Sequence, residues 1–458
     1  MTALAVFATV IALGLVGLIF WLKSPWISLL GWVSALGIQV EVLSDFRLAL
    51  SDLFVPALAL TLLLGNMKAG EKTWQKRSSL SALVLIFAAV FIVLGTTVTY
   101  FELDTVPRWT WLNKDIGLLD LMICFFAITQ IVDTREKMRT IVKTLVLSGS
   151  LLNILALLGG IARYFFGIPN LMMYADTTLR LAGFMVNPSA YGGFISCILL
   201  IQLALLFGES TLLPLPRWAQ GLNVGLLAVG CLLTISRSAF LGLLGGLVVL
   251  LAFYRLKAMI RLASLALLTV LMIGAVTYWL EFSPDVADGF WYLVFNESTV
   301  DERTEINRVA IDMLFEKPTN MLTGTGVGTF LVRADHRLYE PTIIHNEFLW
   351  LLVETGVLGF CLFGAIVVRS LRNCVRVVRD RSADSTIAVG AACSIVGILV
   401  WMLATEGLWY RHVWLLLALT EVCYRLHMKS KLADIVSCVP RLRQGPKVAI
   451  ANGTLQVG

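Results

Sequence analysis

Long apolar runs, separated by short polar breaks, occupy most of the chain. They fall at 3–22, 48–65, 79–99, 116–133, 141–162, 186–208, 219–235, 238–254, 262–280, 346–368, 386–405 and 412–427. Each has roughly the length a helix needs to cross about 30 Å of hydrocarbon. A weaker run, 26–43, carries Gln39 and Glu41 and reads as a short span or a half-inserted segment. The pattern predicts about 12–13 membrane helices. No run alternates as barrel strands do, so helices must satisfy the backbone in lipid. The predicted fold class is therefore all-α, a polytopic transmembrane helix bundle. Composition agrees: 58% of the 458 residues are hydrophobic and 14% charged, against about a quarter charged in soluble domains.

One polar break is far longer than the rest. Residues 281–344 form a loop too long for a simple connector. Within it, Ile306, Val309, Ala310, Met313 and Leu314 fall at helical spacing and predict a helix over about 303–316, ended by Pro318. The chain thus divides into N-terminal membrane helices (1–280), the large loop (281–344), C-terminal membrane helices (345–428) and a basic tail (429–458). The first apolar run lacks a cleavage motif and reads as a retained span.

Charge orients this arrangement. The net charge is only +6, but basic residues cluster at 68–77, 135–143, 255–261 and 369–381 and in the tail. The predicted spans put all five clusters on one side, which the positive-inside rule makes cytoplasmic. The large loop, the Ser236-Arg237 turn and the 406–411 turn then face the other side.

Several polar residues collect there. Arg237 sits in a turn so short that its guanidinium must lie at the interface. It either snorkels to headgroups or grips a phosphate. Arg180 precedes Asn187-Pro188, where Asn187 suits a helix cap and Pro188 a first helical position. Arg303 begins the loop helix, whereas Arg308, with Glu305 and Asp312 in reach, reads as a surface ion-pair partner. His345-Asn346-Glu347 opens the 346–368 helix. His345 can be a cap, a structural hydrogen-bonder or an acid/base group. Glu347 is its nearest candidate helper, because Glu354 lies nine residues on and about half a turn round the helix. Gly324-Thr-Gly326-Val-Gly328 lacks the Lys-Ser/Thr of a phosphate loop and reads as backbone shaping. The four histidines show no metal spacing and the eight cysteines no CxxC pair, so neither a metal nor a cofactor is expected.

Taken together, the ordered set resembles the O-antigen ligase/polymerase family. The matching features are Arg180…Gly183-Phe…Asn187-Pro188, Ser236-Arg237 and Arg303 followed by a helix, Pro318 and Gly324-x-Gly326-x-Gly328-x-Phe330. They end with His345-Asn346, then nine residues, then Gly356-x-x-Gly359. Asn307 stands where relatives often have Trp. The resemblance spans about 45–425. It implies an inverting, metal-independent glycosyltransferase in the bacterial inner membrane, with its site facing the periplasm. The donor would be a glycan on undecaprenyl diphosphate. Arg237 and Arg303, with Arg180 beside them, would hold the diphosphate, and His345 would assist the acceptor hydroxyl, supported by Asn346, Glu347 and Asn187. The acceptor would be lipid A-core for a ligase or another lipid-linked glycan for a polymerase. Membrane lipids are the other expected partners, and no nucleic acid is. Protein O-oligosaccharyl transfer and a transporter or flippase remain open, although the polar residues gather at one surface rather than at midplane.

Overall fold

The structure, a computed structural model, describes residues 24–43, 46–69, 79–168, 173–174, 180–185, 187–254, 298–338 and 343–438. The expected spans 3–22 and 262–280 lie outside the described residues, as do most of the basic stretch 68–77, the 255–261 cluster, the start of the large loop and the tail beyond 438. The described residues form a bundle of helices with two short β-hairpins. Among the described residues, six helices are long and apolar enough to cross a membrane.

The first described segment differs from a simple span. Helix α1 (Pro25–Ser34) has ten residues, about 15 Å and half the hydrocarbon thickness. The chain then turns through an antiparallel hairpin, β1 (Gln39–Leu43) with β2 (Phe46–Ala49). Gln39 and Glu41 make the second half of this run too polar for a lipid-facing helix, and pairing between the strands satisfies its backbone instead. Helix α2 (Val55–Ala69) follows.

Helix α3 (Ser79–Leu103) contains a π-helical stretch at Ala89–Gly95. Helix α4 (Ile116–Ile131) and the 32-residue α5 (Arg135–Phe166) come next, and the β3–β4 hairpin pairs Met173 with Leu181 and Tyr174 with Arg180. Then come α6 (Pro188–Phe207), α7 (Arg217–Leu233) and α8 (Arg237–Tyr254). Asn187 caps α6, its side chain accepting from the Ser189 N–H at 2.7 Å, with Pro188 in the first turn.

Helix α6 runs through the middle of the bundle, with 89% of its apolar window buried, against 28% for α8 and 39% for α5. The exposed faces of the outer helices are apolar, including Leu241, Leu244 and Val248 on α8 and Leu151, Leu155 and Leu158 on α5. Such faces suit lipid. Buried polar side chains tie the interior together, as expected where lipid offers no hydrophobic drive between helices. Asn153 donates to the Leu226 carbonyl at 2.8 Å and accepts from the Tyr191 hydroxyl at 3.0 Å. Asn223 donates to Ser150 Oγ at 2.7 Å and Gln202 Oε1 at 2.6 Å.

The described part of the large loop folds as helices α9 (Ser298–Phe315), α10 (Pro318–Thr323) and α11 (Thr329–Leu338). Helix α9 begins five residues before Arg303, so Arg303 lies in its second turn rather than at its start. The last three helices are α12 (Glu347–Arg379), α13 (Ser385–Trp401) and α14 (Arg411–Cys438). Helix α12 is broken at Gly356, whose φ of 65° and ψ of −172° are not helical. The Gly324–Gly328 turn docks there: the Thr325 and Gly326 N–H groups donate to the Val353 and Glu354 carbonyls at 2.8 and 3.1 Å. Glu354 completes the joint, accepting from the Gly328 N–H at 2.7 Å and the Phe330 N–H at 3.3 Å.

Basic residues of two distant segments meet acidic partners at the end opposite His345. Arg135 and Arg139 reach Asp384 at 3.0 and 3.1 Å. His427 and Lys431 reach Asp380 at 2.9 and 2.8 Å and hold its carboxyl down to about 2. At the other end, Arg411 at the start of α14 pairs through two nitrogens with the Asp52 carboxylate, tying α14 to the turn before α2. Both side chains are largely buried, at 16% and 14% exposure. Asp52→Ala would strand the guanidinium, and removal of one partner from a buried pair costs about 3–5 kcal/mol. A clear fall in the thermal-unfolding midpoint of the detergent-solubilised protein is expected, partly restored by adding Arg411→Met. An unchanged midpoint in Asp52→Ala would show the pair to be idle.

Candidate functional site

The site lies where the 234–237 turn, helix α9, the segment before α12 and the 402–410 turn come together. Asn346 is the N-cap of α12: its side-chain oxygen accepts from the Phe348 and Leu349 N–H groups, each at 3.1 Å. His345 stands one residue outside the helix and is half-buried. With Asn346 doing the capping, the imidazole is not needed for it, and no hydrogen bond to the His345 ring occurs among the described residues.

Electrostatics joins His345 to residues far away in sequence. Burial lowers its pKa from the ordinary 6.5, and the Arg303 cation lowers it further, while the Glu406 and Glu302 carboxylates oppose the change. The net effect favours the neutral imidazole, which can accept a proton. Arg303 is pulled down by loss of hydration and then by the neighbouring Arg237, with Glu302 opposing. Two guanidiniums that raise each other's energy in this way suit a shared anion. Arg303 also donates to the Ala404 carbonyl at 3.3 Å.

The turn that presents Arg237 is unusual. Ile235 has φ 47°, a left-handed conformation rare for a β-branched residue. Arg180 braces this turn, donating from Nε to the Thr234 carbonyl at 3.0 Å. Ser236 and Ser238 bond each other at 3.1 Å and both reach Ser189 of α6, at 3.2 and 3.0 Å. Trp401 Nε1 donates to the same Ser189 hydroxyl at 3.3 Å. The structure thus brings Arg237, Arg303 and His345 into one electrostatic group and ties Arg180 to its edge. Asn187 sits at the start of α6, two residues from Ser189.

Glu347 has a different task from that of a helper to His345. It is fully buried, and its Oε2 accepts from the Gly407 and Leu408 N–H groups, the latter at 3.0 Å. Glu354 is likewise spent on the glycine-rich turn. Arg308 sits at 3.9 Å from Glu305, both exposed, a surface pair worth little.

Sequence reading missed a second polar group. Lys114 is buried at 3% exposure, with its Nζ 5.1 Å from the ring centroid of Trp109 and 4.6 Å from those of Trp350 and Trp409. It pairs with Glu406 at 3.6 Å. A small cleft brings Lys114, Glu406, Trp350 and Glu354 against Ile343 and Ile344, the two residues before His345. Lys114, in a π-helical stretch before α4, and Glu406, in a short turn, lie nearly 300 positions apart with no distinctive spacing. The only hint was that each is a charged residue flanked by tryptophan-bearing segments.

Two comparisons with known proteins bear on identity. No curated protein matches the chain. Residues 222–364 match the family model described as O-antigen ligase. The matched stretch holds Arg237, Arg303, the glycine-rich turn, His345-Asn346 and the Gly356 break, and it excludes Arg180. It covers a smaller part of the chain than the 45–425 over which the sequence resemblance was traced. Through this stretch, the multi-helix membrane protein is similar to the O-antigen ligase family.

Proposed function

We propose that the protein transfers a glycan from undecaprenyl diphosphate to an acceptor hydroxyl at the periplasmic face of the inner membrane. The observation that carries this reading is the grouping of Arg237 and Arg303 with His345 at one end of the bundle, across from the Arg135–Arg139–Asp384 end. Arg237 and Arg303 take the diphosphate, whose charge grows as it leaves. His345 accepts the proton of the acceptor hydroxyl while that oxygen attacks the anomeric carbon from the opposite face. The anomeric carbon–oxygen bond to phosphate breaks, and undecaprenyl diphosphate departs with the electron pair. The configuration at the anomeric carbon inverts. No metal is required in this scheme, because the donor is already activated and the guanidiniums supply the positive charge. Arg180 acts by holding the Thr234 turn behind Arg237.

The reading is tested with purified protein, undecaprenyl-diphosphate glycan and one acceptor at a time. Lipid A-core gives a single ligated product if the protein is a ligase. A second lipid-linked glycan gives a ladder if it is a polymerase. Absence of transfer to lipid A-core, to lipid-linked glycan and to a protein acceptor would overturn the proposal. A sharper check is Arg237→Lys, which keeps the charge but loses the planar two-nitrogen fork. Its donor KM is expected to rise about tenfold or more. An unchanged KM would leave Arg237 as an interfacial anchor.

A further inference from the structure

The Lys114–Glu406 pair is built more elaborately than an interfacial ion pair requires. Lys114 is enclosed by three tryptophan rings, which stabilise its charge as a fixed, desolvated cation. It holds Glu406 through one carboxylate oxygen, Oε2. The other oxygen, Oε1, is buried and has no hydrogen-bond partner among the described residues. An unsatisfied buried carboxylate oxygen is costly and calls for a reason.

The backbone supplies one. Glu347, two residues after His345, fastens the Gly407 and Leu408 amides. Ile343 and Ile344, just before His345, line the same cleft as Glu406 and Lys114. The chain on both sides of His345 is therefore locked to the turn that carries Glu406. The Glu406 carboxylate is also among the charges that act on the His345 imidazole.

We propose that Glu406 is a positioning residue for His345: its carboxylate faces the imidazole, stabilises the imidazolium formed on proton uptake, and is itself restrained by caged Lys114. The proposal rests on the reading of His345 as the proton acceptor. Four charged groups bear on it. Arg303 and Glu302 come from α9, Glu406 from the 402–410 turn, and Lys114 reaches the histidine side through Glu406. Burial and Arg303 push His345 toward the neutral form, and Glu406 counters them. Without that counterweight the histidine would be a weaker base. With it, proton uptake during hydroxyl attack is offset by an adjacent negative charge, as a carboxylate–histidine pair does in acyl-transfer enzymes.

The test measures the imidazole directly, so that it does not depend on transfer activity. Full-length protein in detergent is treated with diethyl pyrocarbonate over a pH series, and modification of the His345 peptide is followed by mass spectrometry. The reagent attacks neutral imidazole, so the rate traces the titration. In E406Q the midpoint is expected to move to lower pH, making His345 react several-fold faster than wild type on the acid side. In K114M, which frees the carboxylate of its cation, the midpoint moves to higher pH. His412, 2% exposed, stays unreactive in either variant that folds and so reports folding in the same spectrum. Should E406Q unfold, K114M decides. A His345 midpoint unmoved in the folded variants overturns the pairing, even if transfer activity is present. A moved midpoint in a protein without transferase activity keeps the pairing and removes the transfer reading instead.

Discussion

Replacement of His345 by alanine is expected to abolish glycan transfer while leaving the amount of folded protein in the membrane unchanged. General base catalysis contributes about 10²–10⁴-fold, and the loss should fall mainly on kcat. The cost to folding should be small, because the half-buried ring caps no helix and Asn346 retains that role. The wild-type pH profile carries the same information. Burial and Arg303 set the His345 pKa below 6.5. A base must be neutral to work, so kcat/KM should rise with pH through that lowered value and be level by neutrality. The His345→Ala variant should lose this acid limb together with the rate. Wild-type turnover in the variant, with the limb intact, would remove His345 from the chemistry.

Gly356→Ala should be the most damaging substitution away from the charged site. Its φ of 65° and ψ of −172° are open to glycine but to few other residues. A Cβ there would stand 2.3 Å from the Leu322 carbonyl oxygen and 2.6 Å from the Gly324 nitrogen. Both are backbone atoms, of the end of α10 and of the docked turn, and cannot rotate away. Strain alone costs about 1–3 kcal/mol, and the clash adds the amide bonds from Thr325 and Gly326 to α12. The expected result is a lower thermal-unfolding midpoint and a shorter active half-life in detergent. Gly364→Ala is the control, since a Cβ there, on the same helix, would meet nothing within 4 Å. Equal behaviour of the two variants would mean that the break at Gly356 is not what holds the glycine-rich turn.

These two positions show different degrees of legibility. His345 stood out in sequence because a polar pair opened an otherwise apolar helix and matched a family pattern. Gly356 belonged to the same pattern, but nothing in the local sequence says what that glycine is for. The structure uses it to open α12 and admit the Gly324–Gly328 turn. Close packing of small residues does occur elsewhere: a Cβ on Gly242 would lie 2.7 Å from the Gly397 carbonyl oxygen. Glu354 could be set aside as a partner of His345 from helical geometry alone, but its actual ligands, the Gly328 and Phe330 amides, come from another part of the chain.

The sequence by itself determined that the chain is a helical membrane bundle and where most helices run, and it singled out Arg237, Arg303 and His345 as candidates for polar chemistry. Those properties follow from local composition: lipid demands long apolar helices, and charged residues at helix ends are few enough to count. Tertiary structure alone decided what the charges do to one another. It divided the carboxylates, giving Glu347 to the Gly407–Leu408 amides and pairing Glu406 with Lys114. It also turned 26–43 into a short helix and a hairpin. Such outcomes depend on which distant backbone amides and rings arrive beside a side chain, and no periodicity within a single segment encodes that.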